Sequence, residues 1–189
     1  MTDKPFAFPA QSVLPAALRI TVAWKNGGGV TSEIAAFPAG SGLHDFGWRI
    51  STALVEKPGP FSCFEGIDRI LTVLEGRLRL DFVDEGRTVV LGIGESLAFP
   101  GDVAVEGTPL DGPVRDLNVM TRRGAWQASM HEDRPQPNGA DVTLAVATRR
   151  CCGLQALDVI VGQDRLALPA EFEGHVIRLR SVNAARSDS

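Results

Sequence analysis

Apolar and polar residues alternate along much of this chain with a period of two. Trp48, Ile50, Thr52 and Leu54 alternate with Arg49, Ser51, Ala53 and Val55. Leu71, Val73 and Glu75 alternate with Thr72 and Leu74, and the run Arg77-Leu78-Arg79-Leu80-Asp81-Phe82 alternates charged and apolar side chains strictly. Such a pattern turns one face of a strand to a core and the other to water. Further strands are expected over 18–22, 31–36, 88–91, 96–99, 117–121, 126–130, 142–147, 154–161 and 176–179. Turn signals separate them: Glu75-Gly76, Asp84-Glu85-Gly86, Gly92-Ile93-Gly94, Pro100-Gly101-Asp102 and Asp111-Gly112-Pro113. Short strands punctuated by Gly, Pro and Asp predict an all-β sandwich or barrel. The one helical candidate is a turn near Pro15-Ala16-Ala17, where an extended lead-in fits equally well.

The stretch from His131 to Asp141 is polar and holds two prolines, the composition of a surface loop. It leaves a second part of about fifty residues, too short to bury a barrel core of its own. The expectation is therefore one domain over residues 1–189, with the second part completing a shared sandwich. The polar tail after Arg180 is expected to fray.

Composition narrows the class. Of 189 residues, 44% are hydrophobic and 22% charged, which is ordinary for a globular chain and argues against disorder of the whole. A net charge of −4 argues against a nucleic-acid partner, because phosphate binding normally shows as a basic face. It leaves room for a local basic pocket. No apolar run approaches the ~18 residues of a membrane span, and Met1-Thr2-Asp3-Lys4-Pro5 lacks the pattern of a signal peptide. A cytoplasmic protein without a membrane partner is expected. Cys63, Cys151 and Cys152 are odd in number and read as buried thiols in a reducing compartment, with a redox role for the adjacent pair as the alternative.

Two motifs bear on the fold. Arg69-Ile70-Leu71-Thr72-Val73-Leu74-Glu75-Gly76-Arg77-Leu78 resembles the strand–turn–strand of a cupin, and Gly94-Glu95-Ser96-Leu97-Ala98-Phe99-Pro100 resembles its second motif. A metal-binding cupin would carry a His-x-His pair before the first turn and a further His five residues after the proline. Here that last position is Val105, and His44, His131 and His175 are scattered singly. A transition-metal site needs several ligands converging, so neither a metal nor another cofactor is expected.

Four blocks make a more specific resemblance. They are Trp24-Lys25-Asn26-Gly27-Gly28-Gly29-Val30-Thr31, Phe46-Gly47-Trp48-Arg49-Ile50-Ser51, the run from Gly59 to Arg69 (Gly-Pro-Phe-Ser-Cys-Phe-Glu-Gly-Ile-Asp-Arg), and the run from Asp111 to Gly124. In this order they resemble the HutD/Ves family. That resemblance implies an all-β, cupin-like (RmlC-like jelly-roll) barrel in a single chain, with a bicupin-like arrangement and a degenerate second half as a variant. It also implies a regulatory role in bacterial histidine utilisation, sensing a pathway intermediate such as formylglutamate or urocanate.

The residues themselves suggest how a small carboxylate would be held. Arg69 opens an apolar strand after Gly66-Ile67-Asp68, and arginine grips a carboxylate with two parallel hydrogen bonds. The competing role is a surface contact with Asp68, worth little. Lys25 and Asn26 beside three glycines could form an anion cradle, or a tight turn with Lys25 in solvent. Arg49 and Ser51 share one strand face, pointing either into the cavity or outward. Asp116 and Asn118 share another, where they could bind ligand or brace Arg69. Trp24, Phe61, Phe64 and Phe99 would supply apolar walls, with core packing as their default role.

No catalytic residue is assigned. A metal-independent isomerase or epimerase is the alternative to a binding protein, but such chemistry usually needs a placed His with a Tyr or second acid. The chain has no tyrosine, and no histidine falls within the four blocks. A structural or interaction domain is the third reading. It explains the missing histidines but not the basic pocket candidates. Monomer and homodimer both remain open.

Overall fold

The computed structural model describes residues 11–131 and 139–182. Most of the loop expected between His131 and Asp141, and the tail beyond Val182, lie outside the described residues. In chain order the strands are β1 (Ser12–Leu14), β2 (Thr21–Ala23), β3 (Gly29–Phe37), β4 (Trp48–Val55), β5 (Gly59–Pro60), β6 (Ile67–Phe82), β7 (Arg87–Leu91), β8 (Ser96–Pro100), β9 (Val105–Arg122), β10 (Trp126–His131), β11 (Val142–Ala147), β12 (Val159–Gly162) and β13 (Gly174–Ser181). The architecture is all-β and cupin-like, and a 3-10 turn covers Ala16–Leu18, at the place where a helical turn is expected. Among the described residues no helix is long and apolar enough to cross a membrane.

The chain divides into two compact units. The first, Arg19–Arg123, holds an eight-stranded sheet ordered β2-β3-β4-β9-β6-β7, with β5 paired to β9 and β8 to β6. Pairing ends at β2 on one side and β7 on the other. The second unit takes the residues up to Leu18 together with those from Gly124 onward. Its five-stranded sheet runs β1-β12-β11-β13-β10, so a strand from one end of the chain completes a sheet built from the other.

Two long bent strands organise the first unit. A turn was expected at Glu75-Gly76, with a second strand folding back, and another break at Asp111-Gly112-Pro113. Instead β6 and β9 each run through these points and stay antiparallel to one another from Ile67↔Arg122 to Phe82↔Val105. Register shifts beside Glu75 take up the bend. Gly76 adopts φ +83°, and a Cβ there would lie 3.0 Å from the carbonyl oxygen of Pro113. The glycine therefore bends the ladder rather than reversing the chain, because a left-handed residue inside a continuing ladder makes a kink.

Other differences are local. The strand expected over 18–22 begins only at Thr21, after the 3-10 turn. That expected over 154–161 is confined to Val159–Gly162, with Leu154 in an isolated bridge to Cys151. The reading of the cysteines as buried fails. All three are free thiols, but Cys63 and Cys152 are exposed and Cys151 is half-buried.

The first unit's core is the cluster of Val55, Leu71, Val73, Leu78, Leu80, Phe82, Leu91, Phe99, Val105 and Val114. These come from β4, β6, β7, β8 and β9, and within each half of β6 they fall at alternate positions, as the period-two pattern requires. Val105 is 3% exposed within this cluster, so the position where a cupin would carry a metal ligand is packed with apolar neighbours.

Candidate functional site

Strand register gathers the site. Ser51 lies opposite Asn118, which lies opposite Leu71; Arg49 and Arg69 both lie opposite Met120; Ala53 and Val73 both lie opposite Asp116. Residues directly opposite share a sheet face. Arg49, Ser51, Arg69, Asp116 and Asn118 therefore stand on one face of the three central strands, the same face that bears the apolar core. The two orientations open for Arg49 resolve to this one. Trp48 and Ile50 take the opposite face and are also fully buried.

Arg69 is the centre of the group. It is buried, and its Nε donates to Asn118 Oδ1 at 2.8 Å, with Nη2 donating to the same oxygen. Asn118 Nδ2 donates in turn to Asp116 Oδ1 at 2.6 Å. The Arg69 guanidinium carbon lies 4.9 Å from the Phe61 ring centre and 5.4 Å from that of Phe99, an arrangement of cation and ring faces. No carboxylate stands within ion-pair distance of Arg69 among the described residues. Asp68, its sequence neighbour, pairs instead with Arg123 at 2.8 Å, so the expected alternative for Arg69 is not formed.

The electrostatics follow from burial. Desolvation lowers the Arg69 pKa to about 10, against the attraction of Asp116, and nearby Arg49 adds to the fall. Burial likewise pushes Asp116 up to about 6, opposed by the Arg69 charge, a backbone hydrogen bond at Ala53 and the Asn118 amide. At neutral pH the guanidinium keeps its charge. Its compensation arrives indirectly, relayed by a carboxamide and spread over two rings.

Arg49 sits beside this centre rather than in it. Its Nε donates to Glu33 Oε2 at 2.8 Å, and its Nη1 reaches Ser51 Oγ at 3.5 Å. Glu33 was not singled out from the sequence. Its only signal was a place on β3 opposite Ser51, which becomes visible once the strands are paired.

The aromatic candidates separate. Phe61 packs edge-on against Trp24 at 6.2 Å, and Trp24 Nε1 donates to Thr31 Oγ1 at 2.7 Å. Phe61 has room because position 107 is glycine; a Cβ there would lie 2.4 Å from Phe61 Cε1. Phe64 packs in a separate cluster with Phe46, Ile67 and Met120, the last of which stands opposite both Arg49 and Arg69.

Lys25 and Asn26 are exposed and do not join the group. Gly27 N donates to Trp24 O at 3.0 Å, and Gly28 N donates to Asn26 Oδ1 at 3.0 Å. These N–H groups hold the hairpin between β2 and β3, and they are not offered to an anion. Gly29 serves close packing, since a Cβ there would meet Leu54 O at 2.3 Å. Among the described residues, no three His, Cys, Asp or Glu side chains come together as a set that could hold a metal ion.

Comparison with known proteins gives a consistent picture. The family model described as HutD matches residues 16–171. An uncharacterised 21.2 kDa protein in the hutC 3' region of Pseudomonas putida is 43% identical over 107 residues, 57% of this chain and 56% of that protein. Protein Ves of Citrobacter koseri is 39% identical over 109 residues, again 57% and 56%. The match thus spans about half the length of these curated relatives. Among solved structures, HutD from Pseudomonas fluorescens SBW25, in a formate condition, superposes with a TM-score of 0.77 at 29% identity, covering 91% of this chain and 99% of that one. A conserved protein of unknown function from Pseudomonas aeruginosa PAO1 gives 0.79 at 32%, covering 92% and 100%.

Proposed function

The chain belongs to the HutD family, and from that premise we propose that it is a cytoplasmic binding protein for small carboxylates that acts in histidine utilisation without a metal. The reading rests on one observation: Arg69 is buried on the core-bearing face with a carboxamide, not a carboxylate, against its guanidinium. A buried cation without a direct counter-ion carries a desolvation cost. A ligand carboxylate would offset it, and the planar fork suits that group. Asn118 and Asp116 fix the guanidinium for the incoming ligand, Phe61 and Phe99 supply its apolar walls, and Arg49 with Ser51 stands ready for a second polar group. Pathway intermediates such as formylglutamate and urocanate both carry carboxylates of this kind.

Calorimetry with formylglutamate, urocanate and glutamate tests the reading. A charge-assisted hydrogen bond contributes ~1.5–3 kcal/mol, so Arg69→Ala should weaken binding roughly ten- to a hundred-fold. Arg69→Lys should recover only part, because a point charge does not reproduce the fork. If none of the three binds the wild type at millimolar concentration, the sensor reading fails.

A second reading has one observation in its favour. Burial pushes the Asp116 carboxyl up to about 6, within the range of a general base, as a metal-independent isomerase or epimerase would require. Exchange of ligand C–H protons with deuterated solvent, lost in Asp116→Asn, would establish it.

A further inference from the structure

In the five-stranded sheet, Arg178 is 6% exposed, and its Nη1 is sealed from solvent with no hydrogen-bond partner among the described residues. Its carboxylate neighbour is Asp164, whose Oδ1 lies 3.9 Å from Nη2. That oxygen already accepts the N–H of Gly139 at 2.7 Å and of Ala140 at 3.3 Å. Burial lowers the Arg178 pKa; Asp164 opposes the fall, while Arg180 and Arg165 add to it. Among the described residues the guanidinium is thus short of an acceptor, with Asp164 as the carboxylate that opposes the effect of Arg180 and Arg165.

An open cavity of about 280 Å³ adjoins it, lined by Gln127, Ser129, Gly139, Ala140, Arg178 and Arg180. The β10–β13 ladder sets Ser129 opposite Arg178 and Gln127 opposite Arg180, so these four polar side chains share a face. Gly139 lets Arg180 come close: Arg180 Nε donates to Gly139 O at 2.5 Å, and a Cβ at position 139 would lie 2.4 Å from Arg180 Nη2. A buried donor without an acceptor costs free energy unless something fills its place.

We propose that this cavity is a second binding site, for the oxyanion group of a small carboxylate or phosphate compound, with the under-satisfied Arg178 guanidinium that lines it as the buried cation. Arg180 supplies further positive charge, and Ser129 and Gln127 supply neutral hydrogen bonds. The site belongs to the second unit and does not depend on Arg69. Asp164 is the internal competitor, because its carboxylate occupies part of the positive field an incoming anion would use.

The test follows amide shifts in the full, isotope-labelled chain during titration with inorganic phosphate and, separately, acetate at constant ionic strength. Saturable shifts at Ser129, Ala140 and Arg178 are expected. They should persist in Arg69→Gln and weaken roughly ten-fold or more in Arg178→Gln, the loss of one charge-assisted contact. Asp164→Asn keeps the oxygen that receives the Gly139 and Ala140 N–H groups while removing charge, and should tighten binding about three-fold or more. A response to phosphate alone supports a phosphate compound, and to acetate alone a carboxylate. Absence of saturable shifts at these amides with both anions at tens of millimolar overturns the proposal. So does a response that disappears in Arg69→Gln. Should Arg178→Gln not fold, Asp164→Asn decides, and unchanged affinity there counts against the site.

Discussion

The guanidinium of Arg69 leans on the carboxamide oxygen of Asn118, 2.8 Å from Nε, while Asp116 stands behind that amide at 2.6 Å. Asn118 is therefore an intermediary. It passes the field of a carboxylate to a cation without letting the two meet, and leaves the cation able to accept another anion.

Placing a carboxylate at position 118 should close that opening. Asn118→Asp keeps the side chain's shape but supplies Arg69 with its own counter-ion. Affinity for formylglutamate is expected to fall roughly ten-fold or more, as one charge-assisted interaction becomes internally satisfied. Calorimetry at pH 7 checks this, and undiminished affinity would show that Arg69 is not the anchor.

Asp116 makes stability depend on pH in a definite direction. Its pKa rises on folding from 3.8 to about 6, chiefly through burial. A raised carboxyl pKa means the folded state binds the proton more tightly, so this group's contribution is fully present below pH ~4 and lost as pH climbs through ~6. At 1.36 kcal/mol per pH unit the change amounts to ~3 kcal/mol. Urea unfolding at pH 4 and pH 7 should show Asp116→Asn gaining relative to the wild type at the higher pH. Parallel curves for the two proteins would show that Asp116 does not titrate in this window.

Gly107 shapes the site from a distance. Alanine there would place a Cβ 2.4 Å from Phe61. Either the ring moves off Arg69 or β9 yields, and overpacking of this kind costs about 1–3 kcal/mol. Chemical denaturation should register the loss, and ligand affinity should fall with it. Wild-type values for both would mean that Phe61 is free to swing aside.

We expect the chain to unfold as one cooperative unit. Proteolytic cleavage within residues 132–138 tests the second sheet's part in this. The cut falls between β10 and β11 in sequence, and β10 pairs across it with β13 from Trp126↔Ser181 to His131↔Val176. The nicked fragments should therefore stay associated on gel filtration and melt in a single step. Separation into independently folded pieces would refute the expectation.

The strand pattern was open to sequence reading wherever one face is apolar. The alternation in 48–55 and 77–82 identified β4 and the second half of β6 because burial on one face imposes a period of two. The bend at Gly76 was misjudged because Glu-Gly signals a local change of direction and says nothing about whether the ladder resumes beyond it. Strand β1 was missed because three residues are too few for a periodic signal, and their partner lies far along the chain. Arg69, Asn118 and Asp116 were legible as candidates, since polar residues in apolar strands stand out. Glu33 and Arg178 were not, because their surroundings come from pairing across strands.

The wiring of β1 bears on how the protein is made. Gln11 and Ala167, 156 positions apart, exchange two hydrogen bonds, and the three residues that follow Gln11 pair with β12. On a ribosome β1 emerges long before β12 and must wait for the residues between them before its partner exists. The sheet of Arg19–Arg123 is paired wholly within that range, so none of its strand partners is so delayed. Pairing of this range is slow to form because the intervening chain must be ordered first. Strand β1 is then a late seam, and its loss would leave β12 with a bare edge open to other chains.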